Sequence, residues 1–143
     1  MTLKLGVVMD PIESITVKKD TTLAILLEAQ ERNWSIFYML QSDLYLDQGC
    51  PRAKMRELSV KDDNSGWYHF EGDLDQEIAE LDVVLMRKDP PFNLDYIYST
   101  YLLEEAQRRG TLIVNDPQSL RDCNEKLFAT QFPQYCPPFL VAS

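Results

Sequence analysis

The segment Val83–Phe92 (VVLMRKDPPF) decides the fold, because an apolar run stops at three charged residues and two prolines. A short apolar run bounded in this way is typical of a buried parallel strand that ends in a charged loop. The two prolines fix φ and lack backbone N–H donors, so the loop has little freedom to collapse. In open α/β sheets, ligands bind outside the carboxyl ends of strands. The segment therefore predicts either a ligand-binding edge or an ordinary strand exit with solvated charges.

Four apolar runs are predicted to be strands, and helical patterns lie between them. A strand–helix–strand unit crosses over right-handed into a parallel sheet. We therefore expect an α/β fold, in which a small, mainly parallel sheet is flanked by helices. The four runs are Leu3–Met9, Ser35–Leu40, Asp82–Met86 and Thr111–Val114.

Capping residues mark the predicted helices. The N-cap candidates are Asp20 or Thr21, Asn93, Asp116 and Asn124. Asn33 is expected to end the first helix, and Gly110 to end the helix that begins after Asn93. In that helix, apolar residues at positions i, i+3, i+4, i+7 and i+8 predict the face that packs on the sheet. These residues are Leu94, Ile97, Tyr98, Tyr101 and Leu102.

The middle of the chain interrupts the α/β pattern. Residues Ala53–Lys61 and Trp67–Phe70 alternate loosely and flank the turn cluster Asp62–Gly66. This arrangement predicts a β-hairpin inserted between the α/β units. Leu74–Leu81 is predicted to form a short helix, and Phe139–Val141 to begin a further strand.

The charge balance excludes several classes of partner. The 143 residues include 14 Lys and Arg against 23 Asp and Glu, for a formal net charge of −9. An acidic chain is poorly suited to binding nucleic acid or an anionic membrane surface. No apolar run has membrane-spanning length, and the start lacks a signal-peptide pattern. Together with three widely spaced cysteines, Cys50, Cys123 and Cys136, these features predict reduced thiols and a cytoplasmic location.

Common catalytic patterns are not found. The single histidine, His69, lies between aromatic residues and is predicted to be a partly buried packing residue, because a metal site needs several ligands. None of the five glycines forms a phosphate-binding loop pattern. The sequence therefore predicts neither a metal site nor a catalytic residue within this chain.

What remains is a set of charged residues at the ends of predicted strands. Asp10 follows the first strand, Arg87, Lys88 and Asp89 the third, and Asn115–Asp116 the fourth. A guanidinium at position 87 is suited to holding a carboxylate through two parallel hydrogen bonds, and Lys88 supplies a point charge. Asp10 and Asp89 either receive an ammonium group or orient the cations. This edge predicts a small zwitterionic or anionic ligand.

Four segments together resemble the amino-terminal part of bacterial glutathione synthetases, and their order and spacing agree along essentially the whole chain. The segments are Lys4–Pro11, Asp82–Phe92, Gly110–Asn115 and Pro117–Leu127. The resemblance implies a Rossmann-like domain that precedes an ATP-grasp domain. It further implies a full-length ligase that joins γ-glutamylcysteine to glycine, with ATP and Mg²⁺, through an acyl-phosphate.

The resemblance also implies roles for particular residues. Asp10, Arg87, Lys88 and Asp89 are expected to border the substrate cleft, and Lys126 to reach the ATP phosphates. Residues 1–122 are expected to form the substrate-side domain, and residues 123–143 to begin the ATP-grasp region. The family's glycine-rich phosphate loop and Mg²⁺ ligands are expected beyond this chain, which alone should be inactive. The full-length protein is expected to be a homo-oligomer.

A second interpretation stays open at this point. The chain is also compatible with a free-standing α/β module that binds a small ligand or a partner without catalysis. A longer reading frame would favour the ligase, and a natural stop after the last residue would favour the module.

Overall fold

The computed structural model describes residues 2–142 apart from the side chain of Glu125, and it contains a seven-stranded mixed sheet with helices on its faces. The strands are β1 Lys4–Val8, β2 Ser35–Met39, β3 Leu44–Asp47, β4 Cys50–Val60, β5 Tyr68–Glu77, β6 Val83–Met86 and β7 Leu112–Val114. The α-helices are α1 Thr21–Glu31, α2 Leu94–Arg108, α3 Pro117–Asp122 and α4 Glu125–Phe128.

The predicted strands form the parallel part of the sheet. β2, β1, β6 and β7 are neighbours in that order, and all three pairings are parallel. Val7, for example, lies between Tyr38 of β2 and Leu85 of β6. After Lys4, every residue of β1 is buried, as the near-continuous apolar run predicts for a central strand. The α/β prediction and the parallel arrangement of these four strands are confirmed.

The inserted hairpin is longer than the sequence pattern indicates. β4 runs antiparallel to β2. β5 in turn runs antiparallel to β4 and pairs with it along the whole stretch from Arg52 to Val60. β3, which the sequence analysis does not predict, pairs with the first residues of β4. The predicted helix at Leu74–Leu81 is wrong, because residues 74–77 belong to β5 and only Ile78–Glu80 form a 3₁₀ turn. The eleven-residue β4 offers a long hydrogen-bonding edge, which outweighs local propensity.

Residues of opposite charge face each other across this hairpin. The cross-strand partners are Arg52 with Glu77, Lys54 with Asp75, and Arg56 with Asp73. The ion pair that forms is diagonal, from Arg52 Nη2 to Asp75 Oδ1 at 3.4 Å, and Arg56 instead stacks on the ring of Phe70. Most of β5 is exposed, so its burial alone specifies register weakly, and opposite charges on the two strands favour the observed pairing.

The helices begin where their capping residues predict. The N-cap side chains that accept a backbone N–H from the first turn are those of Asp20, Asn93, Asp116 and Asn124. Asn33 follows α1 with a φ of 59°, and Gly110 follows α2 with a φ of 111°. Both residues adopt the left-handed conformation that ends helices. The local start and stop signals are therefore confirmed.

The buried face of α2 differs from the predicted one. Its buried residues are Tyr96, Ser99, Thr100, Leu103 and Ala106. Residues of the predicted stripe are largely exposed, with Leu94 at 62%, Tyr98 at 58% and Tyr101 at 52%. Three of these buried residues, Ser99, Thr100 and Ala106, have small side chains. The two buried hydroxyls donate to carbonyl oxygens within the same helix, so their burial costs little.

Two apolar cores fill the two sides of the sheet. On one side, Leu23 and Leu26 of α1 pack with residues of β1 and β2, and on the other Leu103 of α2 packs with Val8 and its neighbours. Gly6 lies on the second side. A Cβ atom there would lie 2.6 Å from Leu81 Cδ1 and 2.8 Å from Met39 Cε, so glycine lets this core close.

The less regular parts of the chain bring two corrections. His69 is exposed on β5, an edge strand, so its prediction as a partly buried packing residue is wrong. Residues 139–141 have no regular secondary structure, and the strand predicted there is absent. The three cysteines are free thiols. Within residues 2–142, no helix is both long and apolar enough to cross a membrane.

Candidate functional site

The parallel strands bring polar segments to one edge of the sheet. Asp10 follows β1, and Arg87–Asp89 follow β6. Asn115 and Asp116 follow β7, and Gln41–Asp43 form a turn after β2. The carboxyl ends of parallel strands meet at the same edge, which is where α/β sheets bind ligands.

Asp10 and Lys88 form an ion pair at the centre of this edge. Lys88 Nζ lies 2.8 Å from Asp10 Oδ1, and the side chains are 18% and 31% exposed, respectively. The backbone N–H of Asp89 donates to Asp10 Oδ2 over 2.9 Å, so both carboxylate oxygens are engaged. Lys88 Nζ also donates to the Asp89 carbonyl at 2.7 Å. Asp10 therefore orients the cation and holds the loop.

Arg87 points away from this pair. Its Nε donates to Oγ1 of Thr22 over 3.0 Å, and Thr22 lies in the first turn of α1 with 6% of its surface exposed. The structure thus brings Asp10, Lys88 and Asp89 together and directs Arg87 to the α1 side of the same loop. This hydrogen bond uses Nε of the exposed Arg87 side chain, whose two Nη groups are further donors.

A first cleft of about 680 Å³ opens beside the ion pair, between the loop after β2 and the start of α2. Its volume is that of a typical small-molecule site. Polar residues of the cleft include Asp10, Gln41, Ser42, Lys88, Asn93 and Asp95. Sequence reasoning missed Gln41 and Ser42, although their place directly after a predicted strand was a usable signal. No local signal pointed to Thr22.

A second cleft of about 860 Å³ lies on the other side of Lys88. One wall comes from the end of β7, α3 and the start of α4, and it carries Asn115, Asp116, Ser119, Cys123, Asn124 and Lys126. Lys88 lines both clefts, so the ion pair stands at their junction. Lys126, expected to reach phosphates, shares the second cleft with Lys88 and is separate from the first.

Hydrogen bonds define the wall of the second cleft. The backbone N–H of Ser119 donates to Asp116 Oδ1 over 3.0 Å, and this bond is the main cause that lowers the pKa of Asp116 below its usual value. Gln107 of α2 donates to the other carboxylate oxygen at 3.2 Å. Asn124 Oδ1 accepts from the backbone N–H groups of Lys126 and Leu127. Asp116 is therefore an ionised cap that joins α3 to α2.

The donor set suits an anion better than a metal ion. Among the residues described, no group of three or more His, Cys, Asp or Glu side chains is arranged to hold a metal. Lys88 and Lys126 instead place two ammonium groups along one cleft. Such point charges are suited to phosphate.

Asp10→Asn is expected to lower the free energy of unfolding by about 1–3 kcal/mol. This range extends from the contribution of an exposed ion pair to that of a hydrogen bond to a charged group. The amide keeps the shape of the carboxylate but turns an NH₂ group toward either the Lys88 ammonium or the Asp89 N–H. Urea unfolding measures the change. Asp89→Asn is the matched control, because the Asp89 side chain is exposed and only its backbone joins the contact. Equal stability losses in the two variants would contradict the role of Asp10.

Comparisons with known proteins show which family the chain is similar to. The family model described as prokaryotic glutathione synthetase, N-terminal domain, matches residues 3–121. The chain is 58% identical over 142 residues to the glutathione synthetase of Pseudomonas syringae pv. tomato, covering 99% of this chain and 44% of the relative. It is 59% identical over 142 residues to the glutathione synthetase of Pseudomonas aeruginosa, covering 99% of this chain and 45% of the relative. For the glutathione synthetase of Photorhabdus laumondii, the identity is 59% over 139 residues, covering 97% of this chain and 44% of the relative.

The chain spans less than half the length of these curated relatives. The domain boundary after residue 122 and the roles of the individual site residues stay predictions. The matched region contains β1, the β6 loop with Lys88, and β7 with the start of α3, which are the segments that form the edge of the sheet. On this match the chain belongs to the prokaryotic glutathione synthetase family, as its amino-terminal domain.

Proposed function

We propose that this chain is the substrate-side domain of an ATP-dependent ligase that joins γ-glutamylcysteine to glycine. The observation that carries the proposal is the Asp10–Lys88 ion pair, which stands at the carboxyl edge of the sheet between two clefts. Its support is the family of the chain together with the lysines that line the clefts, Lys88 in both and Lys126 in the second. The first cleft is proposed to take the dipeptide, and the second to take nucleotide phosphates.

Each site residue has a proposed role. Arg87 lines neither cleft, and it is proposed to reach a carboxylate of γ-glutamylcysteine from the α1 side of the loop through its two Nη groups, since Thr22 already uses Nε. Lys88 balances negative charge at the junction of the clefts, and Asp10 keeps its ammonium group in place. Lys126 contacts ATP phosphates in the second cleft. ATP supplies the phosphoryl group that turns a substrate carboxylate into an acyl-phosphate, a reaction that depends on positioning and on neutralising charge.

The full reaction is proposed to need more than these 143 residues. The support is the share of the relatives that the chain covers, 44% to 45% of their length. The complete protein is proposed to be a cytoplasmic homo-oligomer with Mg²⁺ ligands supplied from outside the described residues.

A chimera tests the proposed function. This chain replaces the matching 142 residues of the Pseudomonas aeruginosa glutathione synthetase, to which it is 59% identical. The chimera is expected to form glutathione only when γ-glutamylcysteine, glycine and MgATP are all present. A control chimera carries the β1 and β6 loop changes Asp10→Ala and Lys88→Ala. A folded but inactive unmodified chimera whose domain still binds γ-glutamylcysteine would favour the free-standing binding module instead.

The isolated chain is expected to bind MgATP weakly or not at all. Lys88 and Lys126 are the two cations that line the second cleft, and tight nucleotide binding also needs groups that surround the phosphates. Titration calorimetry with MgATP checks this, with the chimera as the positive control. Micromolar binding by the isolated chain would mean that a complete nucleotide site exists within these 143 residues.

A further inference from the structure

Arg121 of α3 makes three contacts with α2 that shield it from water. Its Nη1 donates to Thr100 Oγ1 over 3.0 Å, and its Nη2 donates to Glu104 Oε2 over 3.0 Å. The guanidinium carbon lies 4.3 Å from the centre of the Tyr101 ring. The side chains of Arg121 and Glu104 are only 14% and 20% exposed. This is a hydrogen-bonded, stacked and well-shielded ion pair, the kind whose disruption is costly.

The helix that carries Arg121 has little else to hold it. α3 has six residues, too few to be stable by itself, and its buried residue is Pro117. Leu120 is partly buried against the core. The other polar link to α2 is the hydrogen bond from Gln107 to Asp116, which lies in an exposed setting. The position of α3 therefore depends largely on Arg121.

Local hydrogen bonds on either side of the Cys123–Asn124 peptide order the short segment between α3 and Lys126. The N–H of Cys123 donates to the Ser119 carbonyl at 2.9 Å and closes the last turn of α3. The next residue, Asn124, caps α4 through the N–H groups of Lys126 and Leu127. The position of α3 thus determines the position of the start of α4, which carries Lys126 in the wall of the second cleft.

We propose that Arg121 is a positioning residue that sets the wall of the second cleft and thereby the site of Lys126. It does so without touching the ligand, because its guanidinium is already engaged with Thr100, Glu104 and Tyr101. This inference rests on the proposed function, since it takes the second cleft to be the site of nucleotide phosphates. Arg121 then affects the binding of ATP and leaves the binding of γ-glutamylcysteine, in the first cleft, almost unchanged.

Steady-state kinetics on the chimera test the proposal. Arg121→Ala is expected to raise the KM for ATP by about ten- to a hundredfold, by analogy with the loss caused at metal sites when a residue that orients a ligand is removed. The KM for γ-glutamylcysteine should change little, and Arg121→Lys should restore part of the loss. Arg108→Ala is the matched control, since Arg108 approaches the same Glu104 at 3.7 Å but is 66% exposed. An unchanged KM for ATP in folded Arg121→Ala would overturn the proposal, as would an equal rise in the KM of every substrate.

A readout that needs no activity separates this inference from the proposed function. Hydrogen–deuterium exchange of the isolated chain should accelerate in Arg121→Ala over residues 117–128, and not in the central strands β1 and β6. If the chimera is inactive but exchange accelerates as expected, the proposed function fails and the positioning role stands. Unchanged exchange over residues 117–128 would overturn the positioning role whatever the activity.

Discussion

Arg87→Ala in the chimera is expected to raise the KM for γ-glutamylcysteine by about ten- to a hundredfold, because a lost hydrogen bond to a charged group costs about 1.5–3 kcal/mol. The KM for ATP should change little. Arg87 leaves β6 at the ligand-binding edge, and Thr22 holds its Nε at 3.0 Å so that the two Nη groups remain for a carboxylate. A contact that persists from ground state to transition state appears mainly in KM. Steady-state kinetics with each substrate in turn measure the effect.

Two comparison variants make this prediction specific. Arg87→Lys keeps the charge but loses the fork geometry, so it should behave more like Arg87→Ala than like the unmodified chimera. Arg32→Ala, which removes an exposed arginine from the end of α1, should leave all KM values unchanged. If Arg87 instead only ties its loop to α1, Arg87→Ala should lower the melting temperature and disturb all substrates alike. An unchanged KM for γ-glutamylcysteine in a well-folded variant would remove Arg87 from the site.

Leu103→Ala is expected to lower the free energy of unfolding by about 2–5 kcal/mol, the usual cost of truncating a buried leucine. Leu103 is 0% exposed and lies on α2 in the core that also contains Val8 and Val84. The truncation removes apolar contacts and leaves a cavity that the helix and sheet only partly fill. Urea unfolding followed by circular dichroism measures the loss as a lower midpoint with an unchanged slope.

Leu94→Ala provides the matched control for that experiment. The chemistry of the substitution is the same and the residue lies on the same helix, but Leu94 is 62% exposed. Its stability should change by no more than about 0.5 kcal/mol, as for surface substitutions in general. A larger loss for Leu94→Ala than for Leu103→Ala would mean that the face predicted from apolar periodicity, rather than the observed one, packs on the sheet.

Helix ends and central strands were predictable because their causes lie within a few residues. Asp20 and Asn93 accept hydrogen bonds from N–H groups three positions later, so the cap and its partner belong to one short segment. β1 and β6 are apolar runs whose two-sided burial follows from their composition. The shared edge of Asp10, Lys88 and Asp89 then follows from the parallel arrangement alone.

The face of α2 and the length of the hairpin depend on distant partners. Tyr98 and Tyr101 fit the apolar period, but the helix turns its smaller side chains, such as Ser99 and Ala106, toward the sheet. Hydroxyls satisfied within the helix can be buried at little cost, which a hydropathy pattern does not register. Residues 74–77 extend as a strand because β4 lies beside them. In both cases packing outweighs the local pattern.

By itself, the sequence determined the four parallel strands, the helix caps and the edge where charged residues gather, because these follow from local hydrogen bonding and continuous apolar runs. The tertiary structure alone decided three contacts. Asp10 forms an ion pair with Lys88, and Arg87 donates a hydrogen bond to Thr22, which lies 65 positions earlier in the chain. Arg121 links α3 to α2 beside the second cleft. Those contacts join residues far apart in the chain. Their geometry exists only once the sheet has been assembled and the helices packed on its two faces.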